Sequence, residues 1–278
     1  MIWSDRCKYA CLAMLAVLPA AAGAQELPLW ELGVGGFAAA TPAYPGSENR
    51  TKRALVVPYV IYRGEVFRAD QSGIGMRVFS SDRVKLDVGL AGSLPASSDD
   101  VPARAGMPDL GTLLEFGPRL KVQLSKPTPD SGLRLDIPLR AVIEARGGLR
   151  NQGVTFEPRL VYELDGPRGA WGIDANIGVV MGNRKINQYF YEVQPQYATL
   201  ERPVYAADSG LMLVRAGLSG SRMLNPDLRV FAFVRYESYA NAANKDSPLM
   251  KRENGASAGF GFAWTIKRSA RMAASRGD

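Results

Sequence analysis

Between Thr112 and Arg146 the chain alternates apolar and polar residues in two long runs, and this pattern constrains the fold more than any other feature. In the first run, Thr112, Leu114, Phe116, Pro118, Leu120, Val122 and Leu124 alternate with Leu113, Glu115, Gly117, Arg119, Lys121, Gln123 and Ser125. After a breaker at 126–132, Leu133, Leu135, Ile137, Leu139, Ala141 and Ile143 alternate with Arg134, Asp136, Pro138, Arg140, Val142 and Glu144. A period of two places successive side chains on opposite faces of a β-strand. Each run is about twice the usual strand length of roughly 5 to 6 residues. It also reaches the roughly 9 to 11 residues that a tilted strand needs to cross a bilayer. The pair predicts a hairpin of membrane-crossing strands, apolar toward lipid and charged toward a lumen.

The N-terminus predicts export. Arg6 and Lys8 precede the apolar run Ala10 to Ala22, and Ala22-Gly23-Ala24 offers a small-residue cleavage site before Gln25. That is the pattern of a secretory signal peptide, expected at 1–24, and the run is too short for a helical span. Both cysteines, Cys7 and Cys11, fall within it, so disulfides cannot stabilise the mature chain. The net charge of +7 comes from residues interleaved with apolar ones. It predicts no nucleic-acid partner; outer-membrane lipid and the phosphates of lipopolysaccharide are the expected anionic surfaces.

The alternation recurs along the chain. Trp30 to Phe37 opens the set, and Arg53 to Arg63 is apolar on both faces. Shorter pieces come next at Val66 to Asp70 and Ile74 to Phe79, then Val84 to Ala91. Beyond the central hairpin come Val154 to Leu164, Trp171 to Met181, Leu211 to Leu224, Leu228 to Tyr239 and Ala256 to Ile266. With the two short pieces separate, the count is twelve, with ten as the alternative. Twelve puts the long connections 41–52, 95–109, 183–209 and 240–254 on one side, as in outer-membrane barrels with even strand numbers. A soluble β-sandwich also alternates, but the strand length, the polar residues along the whole second face and the aromatic residues near strand ends (Trp30, Tyr162, Trp171 and Trp264) argue against it. The sequence therefore predicts an all-β, transmembrane, antiparallel up-and-down β-barrel over 25–266. A basic, disordered C-terminal tail is expected over 267–278.

Several short motifs then converge: Tyr44-Pro45-Gly46-Ser47, Pro58-Tyr59-Val60-Ile61-Tyr62-Arg63-Gly64 and Phe67-Arg68-Ala69-Asp70. Asp109-Leu110, Leu114-Glu115-Phe116-Gly117-Pro118, Pro203-Val204-Tyr205 and Asp246-Ser247-Pro248-Leu249 come after them in order. Together they resemble the MltA-interacting protein (MipA)/OmpV family of Gram-negative outer-membrane proteins. The resemblance implies a barrel in the outer membrane. It also implies a scaffold role, joining a murein-degrading lytic transglycosylase to a murein-synthesising penicillin-binding protein. The chain departs from the family where its last strand ends on Ile266 instead of an aromatic residue. Fold alone implies a different function, a passive, porin-like channel for small solutes.

No catalytic, cofactor or metal site is expected. The chain has no histidine, which removes histidine-based nucleophilic catalysis and histidine metal sites. The glycines of Gly33-Val34-Gly35-Gly36 precede no helix and fit lumen-facing strand positions better than a phosphate loop. Expected lumen charges are Asp87, Glu115, Arg119, Lys121, Arg134, Asp136, Arg140, Glu144, Glu157, Arg159, Glu163 and Asp174. With both signs on neighbouring strands, mutual pairing is favoured over an ion-selective pore. Phe231 and Phe233 share a face with Arg235 and Glu237 and are expected to point inward and block the lumen further. Arg50, Lys52, Arg53, Arg184 and Lys185 are the loop cations in reach of lipopolysaccharide phosphates, with solvated loop charge the favoured reading.

Overall fold

The computed structural model describes residues 28–63, 67–70, 73–93 and 101–273. The signal peptide expected at 1–24 lies outside the described residues. The strands are β1 (Trp30–Pro42), β2 (Arg50–Arg63), β3 (Phe67–Asp70), β4 (Gly73–Ser80), β5 (Val84–Ser93), β6 (Thr112–Thr128) and β7 (Ser131–Ala145). They continue with β8 (Leu149–Phe156), β9 (Arg159–Asp165), β10 (Trp171–Gly182), β11 (Gly210–Asn225), β12 (Leu228–Ser238) and β13 (Asn254–Arg268). Every pairing is antiparallel and almost every one joins chain neighbours, so the sheet is an up-and-down meander.

β8 and β9 are one strand interrupted at Glu157-Pro158, since proline has no N–H to give the ladder. Both halves lie between β7 and β10. The wall therefore has twelve positions, as the alternation predicts. It closes where β1 meets β13, from Glu31 opposite Arg268 to Ala40 opposite Ala258. Closure is required because an unpaired strand edge in hydrocarbon leaves backbone groups unsatisfied, at several kcal/mol each. The two short strands form a low section of wall. β2 pairs with β3 only at Tyr62–Ala69 and Arg63–Arg68, so Arg50 to Ile61 have no ladder partner on that edge among the described residues.

The alternation sorts side chains as the sequence predicts. Leu114, Phe116, Leu139, Ile177, Phe260 and Ile266 are exposed on the outer surface, while Glu115, Asp136, Arg140 and Glu157 face the lumen. An outward apolar band with a polar interior is the arrangement a bilayer selects.

Three features differ from the sequence expectation. The last strand continues past Ile266 through Arg268, and the residues after it do not hang free. Ser269 N–H donates to the Trp30 carbonyl at 2.9 Å, Leu29 N–H donates to the Arg271 carbonyl at 2.8 Å, and Pro28 bridges Met272. As far as Met272, ladder bonds to the N-terminal segment outweigh the local basic character expected to keep the tail disordered; the rest of the expected tail, 274–278, lies outside the described residues. Secondly, the short turns between β3 and β4 and between β7 and β8 lie on the same side as the long loops. Thirdly, the longest loop contains a helix, α1 (Arg184–Tyr191). Asn183 caps it, its Oδ1 accepting from Ile186 N–H at 3.2 Å and from Val154 N–H at 3.1 Å. An N-cap that also bonds the neighbouring strand fixes the helix over the barrel mouth.

Candidate functional site

The lumen holds three groups of charges. Asp87 on β5 accepts two bonds from Arg119 on β6, Nε at 2.9 Å and Nη2 at 3.0 Å, and Lys121 Nζ stands 3.4 Å away. This forked contact is the strong form of carboxylate–guanidinium pairing. Asp136 on β7, whose side chain is 0 % exposed, lies between Arg134 Nε at 2.7 Å and Arg159 Nη2 at 3.2 Å. Arg134 also pairs with Glu163.

The third group draws on five wall positions: β6, β7, the β8–β9 break, β11 and β12. Arg140 meets Glu115 at 3.1 Å and Glu157 at 4.0 Å. Arg215 meets Glu157 at 3.8 Å and Glu237 at 2.9 Å, and Tyr239 Oη donates to Glu237 at 2.7 Å. Cross-strand register makes these contacts: Asp87 faces Arg119, Asp136 faces Arg159, and Arg215 faces Glu237. Opposite charges directly across a ladder stabilise the pair, and partnered charges persist where isolated ones would not.

Of the twelve expected lumen charges, ten are therefore ion-paired. Asp174 instead lies across from Ser219 and accepts its hydrogen bond. Glu144 has a separate task. It accepts from Gly111 N–H at 3.0 Å, Tyr189 Oη at 3.1 Å and Gln152 Nε2 at 2.8 Å, and so ties the loops to the wall. The sequence pattern did not mark Arg215 and Glu237 as a pair, although their alternation in β11 and β12 carried the signal.

Phe231 and Phe233 point inward, but they do not span the lumen. Their rings lie against β13: a Cβ at Gly261 would come 2.5 Å from Phe231 Cζ, and one at Gly259 would come 2.6 Å from Phe233 Cε1. Tyr59 lies over Gly33 in the same way and bonds Thr265 Oγ1 at 2.9 Å. Gly33, Gly259 and Gly261 are thus beds for aromatic rings, which is why these three positions can carry no side chain.

Above the lumen the loops pack into a cap with its own apolar core, including Tyr44, Leu110, Leu113, Ile186, Tyr191, Val193, Tyr239 and Leu249. Tyr44 Oη donates to the Leu249 carbonyl at 2.7 Å, and Ser247 Oγ donates to that of Tyr191 at 2.7 Å. Gly46 has φ +86°, and Met250 occupies the space a side chain there would need. Arg104 donates to the carbonyls of Phe190 and Pro108, both at 3.2 Å, with its guanidinium 5.8 Å from the Tyr44 ring centre. Asn244 Nδ2 donates to Asn187 Oδ1 at 3.0 Å and to the Asp208 carbonyl at 2.8 Å. Burial pushes the Tyr44 hydroxyl up to about 12 and raises those of Tyr189, Tyr191 and Tyr239 as well.

The five loop cations form no common site. Arg184 Nη2 is 2.6 Å from Asp208, Arg50 donates to the Ala40 carbonyl, and Arg53 lies opposite Ala39 on the inward face. Lys52 and Lys185 are exposed. Among the described residues there is no cluster of acidic and cysteine side chains able to hold a metal ion.

A closed twelve-position barrel with an apolar belt, a charge-filled lumen and short turns at one end is an outer-membrane β-barrel. The chain belongs to the family described as MltA-interacting protein MipA, which matches residues 34–266. Four of the seven motifs that carry the family resemblance fall in the loops of the cap, where Tyr44, Leu110, Tyr205, Ser247 and Leu249 lie. Solved structures share the barrel at low identity. An outer membrane channel from Pseudomonas putida F1 aligns with 90 % of this chain and 100 % of its own, at 9 % identity and TM-score 0.49. A bacterial polysaccharide outer membrane secretin covers 86 % and 99 %, at 11 % identity and TM-score 0.40. Outer membrane phospholipase A from Escherichia coli covers 86 % and 94 %, at 12 % identity and TM-score 0.35. No curated protein matches the sequence significantly.

Proposed function

We propose that this barrel is a non-enzymatic scaffold of the outer membrane that brings murein-degrading and murein-synthesising enzymes together at its turn end. The observation that supports it best is the obstruction of the lumen: a cap with its own buried core lies over one end, and paired charges fill the wall beneath. A barrel built this way is suited to holding a shape, and its family is named for an interaction with MltA, a lytic transglycosylase. The chain lacks histidine, so a histidine-dependent hydrolase mechanism has no base to use. The turns at 81–83, 129–130, 166–170 and 226–227 are short and polar, and they face the compartment where murein lies. Lipid surrounds the apolar belt, and Lys52 and Lys185 are available to the phosphates of lipopolysaccharide.

Affinity capture with the tagged barrel from envelope extracts, beside single-channel recording in planar bilayers, tests the reading. Co-purification of a lytic transglycosylase and a penicillin-binding protein, with no discrete conductance steps, is the expected result. Discrete steps with neither enzyme captured would replace the scaffold with a passive channel.

A further inference from the structure

We infer that a groove in the lipid-facing surface of β13, β1 and β2 seats one acyl chain of a lipopolysaccharide molecule whose phosphates meet the cations above it. The inference deepens the lipid contact of the reading above and rests on its placing of the long loops outside. Its test is lipid binding, so it can fail while the scaffold role stands, and the reverse.

The groove comes from side-chain size. Much of the outward belt is Leu, Ile, Val and Phe, but Gly36, Ala38 and Ala54 meet side by side, with Gly36 opposite Val56 and Ala38 opposite Ala54. On the other side of β1, Phe262 stands opposite Gly36 and Phe260 opposite Ala38. A floor of small residues between two rings and Val56 leaves an apolar groove of about 290 Å³. Phe262 leans over Gly36, where a Cβ would come 2.6 Å from its Cε1. Phe260 and Val56, 68 % and 66 % exposed, form the open walls.

The depth of the groove in the membrane selects its occupant. From Trp30 opposite Tyr62, at the turn end, to Ala40 opposite Lys52 is ten residues. At about 3.3 Å per residue and a tilt of about 40°, that is a climb of about 25 Å, the height of a barrel's apolar band. Lys52 therefore sits at the outer water boundary. The groove, two to four residues lower on β1, lies about 5 to 10 Å inside the outer leaflet. That is where the upper part of an acyl chain runs when its headgroup is level with Lys52.

The complementary charge stands directly above. Arg50 and Lys52 are both outward by register at the start of β2, and Arg50 reaches back to donate to the Ala40 carbonyl at 3.3 Å. This keeps two cations at the upper end of the groove. The segment that leads into β13 is tied to the β1–β2 loop, since Lys251 N–H and Arg252 N–H donate to the Gly46 carbonyl at 2.9 and 3.0 Å. All four cations are exposed, and none is held in an ion pair among the described residues. Glu48 and Glu253 are the carboxylates on the same segments, so cations are in excess. Cations spread over two neighbouring loops suit a broad headgroup with more than one phosphate. A glycerophospholipid offers a single phosphate and leaves most of them unused.

The purified barrel, titrated with a deep-rough lipopolysaccharide and released from detergent in a native mass spectrometer, is expected to keep one lipid molecule. Lys52→Gln/Arg252→Gln should raise the concentration for half occupancy about thirtyfold, the effect of two cations at an anionic lipid surface. Ala38→Leu/Ala54→Leu fills the floor with apolar bulk, leaves every charge in place and should raise it too. Its side chains face lipid, so it is expected to fold and decides the matter should the charge variant not. Lys126→Gln/Lys267→Gln, which removes two exposed cations at the turn end, should leave retention as it was. Stripping the phosphates from the lipid should abolish the difference between the unsubstituted barrel and Lys52→Gln/Arg252→Gln. Retention unchanged in either folded variant, equal loss in the turn-end variant, or phosphatidylglycerol kept as well as lipopolysaccharide would each overturn the inference. A dimer that separates when the groove is filled would overturn it too, by assigning the groove to a second copy of the chain.

Discussion

Asp136→Ala should destabilise this barrel as much as placing a charge in its lipid face. The Asp136 side chain is wholly buried between Arg134, at 2.7 Å, and Arg159, at 3.2 Å. Truncation leaves both guanidinium groups without that carboxylate, and removing one member of a buried ion pair costs about 3 to 5 kcal/mol. Arg134 keeps Glu163 and Arg159 is 30 % exposed, so the lower end, about 3 kcal/mol, applies. Ile137→Arg, one residue away on the lipid face, should cost about 2 to 4 kcal/mol near the bilayer midplane. Gln123→Ala loses only bonds to the carbonyls of Ser125 and Leu133 near the turn, about 1 kcal/mol. From alternation alone the lumen face looks the more tolerant, so the ranking separates pattern from packing. Urea unfolding in lipid vesicles reads it: with a slope of about 1 to 3 kcal/mol per molar, the Asp136→Ala midpoint should fall by about 1 to 3 M. Asp136→Ala/Arg159→Ala should recover part of that fall, because one orphaned charge is then gone. A shift for Asp136→Ala no larger than that for Gln123→Ala would refute the reasoning.

Further predictions concern the cap and the seam. The Tyr191 hydroxyl is buried without a hydrogen-bond partner, so Tyr191→Phe should be neutral or stabilise the cap by about 1 kcal/mol, whereas Tyr239→Phe, which loses its bond to Glu237, should cost about 1.5 to 3 kcal/mol; thermal unfolding compares them. The Tyr44 hydroxyl is raised to about 12 from an ordinary 10, so its contribution is complete below pH 10 and is lost as pH rises through about 12. Limited proteolysis of the cap, followed beside phenolate absorbance, should show loosening only in that window; phenols titrating at ordinary values within an intact cap would count against it. At the seam Gly35 faces Ala263 and Gly259 faces Ala39, so paired cysteines at 35 and 263 should cross-link and those at 35 and 259 should not. The reverse outcome would mean a shifted register.

The wall was legible because a period of two is a direct readout of which face each side chain takes, and Thr112 to Ser125 and Leu133 to Glu144 show it in two long runs. Consequences that depend on a neighbouring strand were not legible. Phe231 and Phe233 are inward by alternation, but only the glycines opposite them on β13 decide that the rings lie along the wall. The tail after Ile266 reads as basic and unstructured, and it is the ladder to Pro28–Trp30 that orders its residues as far as Met272. The cap was least legible of all. Its residues have no period, and contacts such as that of Tyr44 with Leu249 join positions 205 residues apart. Its trace in the sequence was indirect, in the four family motifs at 44–47, 109–110, 203–205 and 246–249, whose residues help to build it.

The lumen charges and the cap are one connected structure. From Glu115 the chain of contacts passes through Arg140, Glu157, Arg215 and Glu237 to Tyr239, which is itself a core residue of the cap. Glu144 makes a second link, through Tyr189 of α1 and the Gly111 backbone. Lipid solvates only the outer face of such a barrel, so its loops cannot be anchored by apolar contact with the wall's exterior. The anchor has to be polar and internal. That accounts for glutamates at the loop ends of β7 and β12, where alternation alone asks only for an inward residue, and for a cap core that begins directly above them.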